Sequence, residues 1–237
     1  MAVAVVADAH LGGPGGSAEP LVRQLDALEG QRCERLVLLG DLFQVWVGND
    51  RFETPEIATV VNSLRRVRAL GIPLHYIEGN RDFFLAGSPY GELFDSVGSE
   101  LEFVTGGRRY LAVHGDGINA NDYLYRFWHR LSKNRLSRWA MYHLPRSLAS
   151  RLISGFEQEL SKTNFKHKRR LPEEVIVEYA KRRLGEGYDA LLLGHFHEPF
   201  RRSLDQGEVI VFDAWFRSQQ VEWIGDSCDE REDYGSA

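Results

Sequence analysis

Ala2-Val3-Ala4-Val5-Val6-Ala7-Asp8-Ala9-His10 carries an apolar run that stops abruptly at an acid and an imidazole. A short run of small and β-branched apolar residues fits a strand covered on both faces. Asp8 and His10 stand two residues apart, the spacing that turns both side chains to one side of an extended segment. The same arrangement returns along the chain. Leu36–Leu39 ends in Gly40-Asp41, and Leu74–Ile77 leads into Gly79-Asn80-Arg81-Asp82. Tyr110–Val113, after the turn Gly106-Gly107, ends in His114-Gly115-Asp116, and Leu191–Leu193 ends in Gly194-His195-Phe196-His197. Val209–Phe212 is a further strand, and Val221–Ile224 is expected to pair beside it.

Helical patterns lie between the strands. Leu21, Leu25 and Leu28 recur at helical intervals in Pro20–Leu28, as do Ile57, Val60, Val61, Leu64, Val67 and Leu70 in Pro55–Leu70. The alternation predicts an α/β layered fold. Residues 118–184 break it. There Tyr125, Trp128, Leu131, Leu136, Trp139, Leu148, Leu152 and Phe156 recur at helical spacing, and Pro145 and Pro172 mark breaks or starts. We read residues 1–117 and 185–225 as the core, 118–184 as a helical insertion and 226–237 as an acidic tail.

The 237 residues are 43% hydrophobic and 27% charged, which excludes disordered, collagen-like and disulfide-scaffold classes. No apolar run approaches the ~18 residues of a membrane span. The first residues lack the basic region of a signal peptide. Cys33 and Cys228 imply no disulfide framework. The expectation is a cytoplasmic protein. Its net charge of −5 is uneven: residues 130–183 carry 14 Lys and Arg against 5 Asp and Glu. Such a segment suits an anionic partner, although a solvated helix surface explains it too.

Strand ends are where sites assemble in open α/β sheets. Asp8, His10, Asp41, Asn80, His114, His195 and His197 are hard oxygen donors and imidazoles, a set suited to Mn, Fe or Zn. If Asp41 bridges, each of two ions receives four protein ligands, and a pair of ions clamps an in-line displacement at phosphorus. Each motif alone has a plainer reading. A His-x-His is often structural, a Gly-Asn-Arg-Asp is a turn, and Gly-Asp after a strand is commonplace. The signal is the ordered recurrence at successive strand ends.

That ordered set, D-x-H, G-D, G-N-R, H and G-H-x-H, resembles the calcineurin-like metallophosphoesterase superfamily. The resemblance implies an α/β/β/α sandwich of two mixed sheets. It also implies two divalent ions, with manganese expected. Asp8, His10, Asp41 and His197 would hold one, and Asp41, Asn80, His114 and His195 the other. A narrower likeness rests on Gly40-Asp41-Leu42-Phe43-Gln44-Val45-Trp46-Val47-Gly48 and on Arg81 in Gly79-Asn80-Arg81-Asp82-Phe83. Both stretches look like the UDP-2,3-diacylglucosamine hydrolases of lipid A biosynthesis. That likeness implies cleavage of a pyrophosphate to UMP and 2,3-diacylglucosamine 1-phosphate, with Asp41, Asn80, Arg81 and His195 catalytic. It further implies a helical lid starting near Asn121-Asp122. Substrate contacts would come from Asn80, Arg81, Asp122, Tyr125, Asn164, Lys166, Lys168 and His195.

Arg81 stands where most superfamily members have His. A sugar-phosphate leaving group, with a second pKa of about 6, needs little acid help, whereas pyrophosphate oxygens match a guanidinium fork. An ordinary ion pair is the plainer alternative. The chain departs from the hydrolase pattern at Phe196 and Glu198, where the family has Thr and Arg. Asp213-Ala214-Trp215 resembles its Gly-Ala-Trp. Trp128, Leu131, Trp139, Leu148, Leu152 and Phe156 are expected either to line an acyl groove or to form the lid's own core. Lys162, Lys166, Lys168, Arg169 and Arg170 are expected to face phosphate or anionic headgroups at the inner membrane surface. The expected partner is a lipid-linked nucleotide sugar, with no nucleic acid. A related esterase acting on another phosphodiester or nucleotide sugar, and a scaffold without catalysis, are the rival readings.

Overall fold

The computed structural model describes residues 2–13, 17–164 and 171–225. Its strands, in chain order, are β1 (Ala2–Val6), β2 (Cys33–Leu38), β3 (Trp46–Val47), β4 (Leu74–Ile77), β5 (Asp82–Phe83), β6 (Ser96–Gly98), β7 (Glu100–Thr105), β8 (Arg108–Val113), β9 (Ala190–Leu193), β10 (Phe200–Leu204), β11 (Gly207–Val211) and β12 (Glu222–Gly225). The helices are α1 (Glu19–Asp26), α2 (Pro55–Ala69), α3 (Tyr123–Ser132), α4 (Arg135–His143), α5 (Arg146–Asn164), α6 (Glu173–Leu184) and the short α7 (Trp215–Ser218).

One sheet runs β12-β1-β2-β4-β6 and the other β10-β11-β9-β8-β7. Both are mixed. In the first, β1, β2, β4 and β6 are parallel and β12 is antiparallel, so the Val221–Ile224 run, expected beside Val209–Phe212, pairs with β1 instead; in the second, β8, β9 and β11 are parallel, with β7 and β10 antiparallel at the edges. The period of two sorts the strand residues. Ala4, Val6, Leu36 and Leu38 face α1 and α2, while Val3, Val5, Val37 and Leu39 face the second sheet across Ala112, Ala190 and Leu192. On the outer face of that sheet, Leu111, Val113, Leu191 and Val209 pack against Ile176, Ala180 and Leu184 of α6. The result is the expected α/β/β/α sandwich.

Two features were not visible in the sequence. First, α6 joins the core of the second sheet, although it falls inside the 118–184 stretch read as one insertion. Its amphipathic spacing shows an apolar face but not which partner covers that face. Second, β3 and β5 pair in parallel, Trp46 with Asp82 and Val47 with Phe83. The two stretches that carry the narrower likeness are therefore hydrogen-bonded neighbours. Helices α3 to α5 rest on this ribbon: Val47 and Phe83 join Tyr125, Met141, Ile153 and Phe156 in one buried cluster. Arg51 donates to the carbonyls of Tyr142 and Leu144 at 2.9 and 2.8 Å, and the Tyr142 hydroxyl donates to the Gly48 carbonyl.

Candidate metal centre

The candidate ligands sit just beyond the carboxyl ends of β1, β2, β4, β8 and β9, where the chain turns. Asp8, His10, Asp41, His195 and His197 all have left-handed backbones, with φ of 51°, 46°, 52°, 70° and 58°. Residues with a Cβ rarely adopt this region, and such strain concentrates at functional sites. The neighbouring glycines give the room. A Cβ on Gly79 would lie 2.3 Å from Asp41 Oδ1 and 2.8 Å from His114 Nε2. One on Gly194 would lie 2.8 Å from Asp8 Oδ2.

The strand ends converge. Donor atoms of Asp8, His10 and His197 lie within 4.8 Å of one another, and so do those of Asp8, Asp41 and His114. His10 Nε2 and His197 Nε2 are 3.1 Å apart, and they stand 3.8 and 3.3 Å from Asp8 Oδ1. His114 Nε2 is 3.6 Å from Asp41 Oδ2. The His195 ring is 5.1 Å from that of His114, and its backbone N–H donates to Asp8 Oδ2 at 2.6 Å. Asn80 is buried beside them, following Gly79 and preceding Arg81, whose N–H donates to Asp41 Oδ1 at 2.8 Å.

Several features fit divalent cations. Asn80 Oδ1 and His114 Nε2 are buried without a hydrogen-bond partner among the described residues. The other nitrogen of His114 lies 2.7 Å from the Leu39 carbonyl; as a donor there, Nδ1 leaves the Nε2 lone pair for a ligand bond. Asp8, Asp41 and Asp82 are all buried carboxylates in one small volume. Burial pushes the Asp41 carboxyl up, and Asp8 adds to the push while His114 opposes it. Burial works against charging His114 too, but Asp41, Asp8 and Asp116 outweigh it and raise the imidazole to about 9. Burial also tends to raise Asp8, yet its three histidine neighbours hold it below the usual carboxylate range. The cluster therefore favours positive charge, which resident cations would supply.

Asp82 was not singled out in the sequence as a site residue. Its Oδ2 accepts the N–H groups of Asp41 and Gly79 at 3.0 and 2.8 Å, tying two ligand turns together. Burial, reinforced by Asp41, lifts its carboxyl to about 7. Its place in Gly79-Asn80-Arg81-Asp82 was the available signal. For Lys133 there was none; its ammonium donates to the Gly79 carbonyl at 2.8 Å, pinning the end of α3 beside the same turn.

The expected substrate residues divide. Arg81 lies at the cluster, its guanidinium donating to the Gln44 carbonyl at 3.1 Å and standing 3.7 Å from Asp41. Asp41 is thus an acid within ion-pair range of Arg81. Asp122 caps α3, accepting the Tyr125 N–H at 2.9 Å, and lines a small pocket with Asp116, Asn119, His195 and Phe196. Tyr125 is only 2% exposed, and its hydroxyl donates to Asp116, so it braces α3 against the His114-Gly115-Asp116 turn instead of meeting solvent. Tyr125→Phe is expected to lower the unfolding free energy by about 1 kcal/mol, because it removes the hydroxyl's bond to the partly buried Asp116 carboxylate; urea melts would measure it. The side chain of Asn164, and Lys166 and Lys168 with the other basic residues of 165–170, lie outside the described residues.

A two-sheet sandwich whose strand ends gather buried carboxylates and imidazoles defines a hydrolase that works with divalent metal ions. The chain belongs to the calcineurin-like phosphoesterase superfamily, whose domain model matches residues 1–139. Its curated relatives carry a narrower name. The UDP-2,3-diacylglucosamine hydrolase of Pseudomonas putida (strain F1) is 32% identical over 188 residues, 74% of each chain. That of Edwardsiella ictaluri is 28% identical over 228 residues, 91% of this chain and 85% of that one. Among solved structures, a dimetal phosphatase from Danio rerio aligns over 90% of this chain and 87% of its own, with TM-score 0.49 and 12% identity.

Proposed function

We propose that this chain hydrolyses the pyrophosphate of UDP-2,3-diacylglucosamine, releasing UMP and 2,3-diacylglucosamine 1-phosphate. The observation that carries this reading is the shared name of relatives aligned over most of the chain, together with the convergence of Asp8, His10, Asp41, His114 and His197. Asp8, His10, Asp41 and His197 would hold one divalent ion and Asp41, Asn80, His114 and His195 a second, with manganese our choice. When bound, such ions lower the pKa of water and neutralise charge on phosphate oxygens.

The chain's own residues supply the rest. Arg81 brings a permanent positive charge to the cluster, held by Asp41 and the Gln44 carbonyl, where a planar fork suits pyrophosphate oxygens. Asn80 and His195 stand beside it. The sugar phosphate departs as a weak base and needs no proton donor. We assign the lid to α3–α5 and the lysines after them, and α6 to the core. Of the apolar lid residues, Phe156 is buried, with Trp128, Leu131 and Leu152 packed against the same cluster, while Trp139, Leu148, Leu124, Phe127 and Leu136 are exposed. The exposed set, on a basic segment, suits contact with the membrane that holds a diacylated substrate. No helix of the described residues is long and apolar enough to cross a membrane, so the contact we propose is peripheral.

Comparing hydrolysis of UDP-2,3-diacylglucosamine with that of UDP-N-acetylglucosamine tests the substrate. We expect kcat/KM to favour the lipid by at least about 100-fold, since each buried methylene contributes ~0.8 kcal/mol. Equal rates would overturn the lipid assignment.

A further inference from the structure

The candidate centre has two flanks of different character. On one side, His195 and Asn80 adjoin the lid: Asp122 shares a pocket with His195, and Lys133 grips the Gly79 carbonyl. On the other side, His10 and His197 meet an aromatic ring. Phe216 packs against both, its centroid 5.5 Å from that of His10 and 5.1 Å from that of His197. Yet Phe216 is 43% exposed.

Its position is fixed from beneath. Trp215, buried, donates its backbone N–H to the Ala7 carbonyl at 2.8 Å and its indole N–H to Gln24 Oε1 at 2.9 Å. The Phe216 N–H points at the Asp8 carbonyl, 3.4 Å away. Arg217 donates to the His197 carbonyl at 2.6 Å. The short helix α7 is thus anchored at the end of β1, and its one exposed ring is placed at the edge of the candidate metal centre.

A substrate with a pyrophosphate between a diacylated sugar and a nucleoside must lay its two halves on opposite sides of the reacting phosphorus. With the sugar half under the lid, the nucleoside half falls toward His10 and His197. We propose that Phe216 is a specificity-determining residue: its exposed face stacks on the pyrimidine of the nucleotide half and holds that half while the phosphoric anhydride is cleaved. This inference rests on the function proposed above. Aromatic stacking tolerates any base, so the preference it confers is for a nucleobase over none.

The test is direct binding, by calorimetry on the manganese-loaded protein, of UMP and of ribose 5-phosphate, which carries the same phosphate and sugar without a base. Wild type is expected to bind UMP about tenfold more tightly than ribose 5-phosphate. Phe216→Ala should remove that difference by weakening UMP alone, and Phe216→Trp should keep it. Equal weakening of both ligands in Phe216→Ala would show that the ring merely props the imidazoles, and an unchanged UMP affinity would show that the base lies elsewhere; either overturns the proposal. No turnover is involved, so failure of the lipid substrate in the hydrolysis assay is read separately.

Discussion

Asp41→Ala is expected to reduce hydrolysis of the pyrophosphate substrate by at least about 10³-fold, beyond the loss typical of removing a single stabilising donor. The carboxylate sits where the two halves of the centre meet. Its Oδ2 faces His114 Nε2, its Oδ1 accepts the Arg81 N–H, and Asp8 lies within the same group of converging donors. Alanine would remove a shared ligand and the acid that orients Arg81. The variant should keep its far-ultraviolet circular dichroism while its metal content, by elemental analysis, falls below that of wild type. Near-normal turnover in a variant stripped of metal would refute the assignment. Glu198→Ala, at an exposed position among no ligand group, should stay within a few-fold of wild type.

The second large effect concerns stability. Asp8, Asp41 and Asp82 are crowded buried carboxylates, and burial together with Asp8 raises the pKa of Asp41. Cations would relieve this. At a concentration about 100 times the dissociation constant, binding adds ~2.7 kcal/mol to folding. For a chain of this size that corresponds to a rise in Tm of about 5–10 °C. Asp41→Asn should invert the pattern. In chelator its Tm should equal or exceed that of wild type, because a buried charge is gone while an amide oxygen still accepts the Arg81 N–H. In manganese it should gain far less than wild type. Calorimetric scans in both buffers would decide. An equal metal-induced rise in both proteins would show that Asp41 is not a ligand.

Much of this was written in the strand-ending motifs. Apolar runs of β-branched residues or leucines named the central strands, and the acids and imidazoles at their ends named the residues that converge. The reason is local: strand ends turn within two or three residues, so spacing along the chain translates directly into direction in space. What escaped reading depends on contacts between distant segments. The β3–β5 ribbon and β6 are too short to show a period, and the edge strand β7 turns Glu100 and Glu102 to solvent. Lys133 is one of many lid cations until Gly79 is brought beneath it. Tyr125 was expected to meet substrate because the family likeness at the lid start implies it, and in the fold its ring packs in the lid core. Phe216 carried no motif at all; only the anchoring of Trp215 against Ala7 and Gln24 brings its ring to His10 and His197.

The hydrolysis proposed for this protein requires two cations side by side. Electron paramagnetic resonance of the protein loaded with two equivalents of Mn2+ reads that arrangement directly. The predicted result is an exchange-coupled signal from two manganese ions about 3.5–4 Å apart, lost in Asp41→Ala. A spectrum of isolated manganese only, or no bound manganese at saturating concentration, would contradict it.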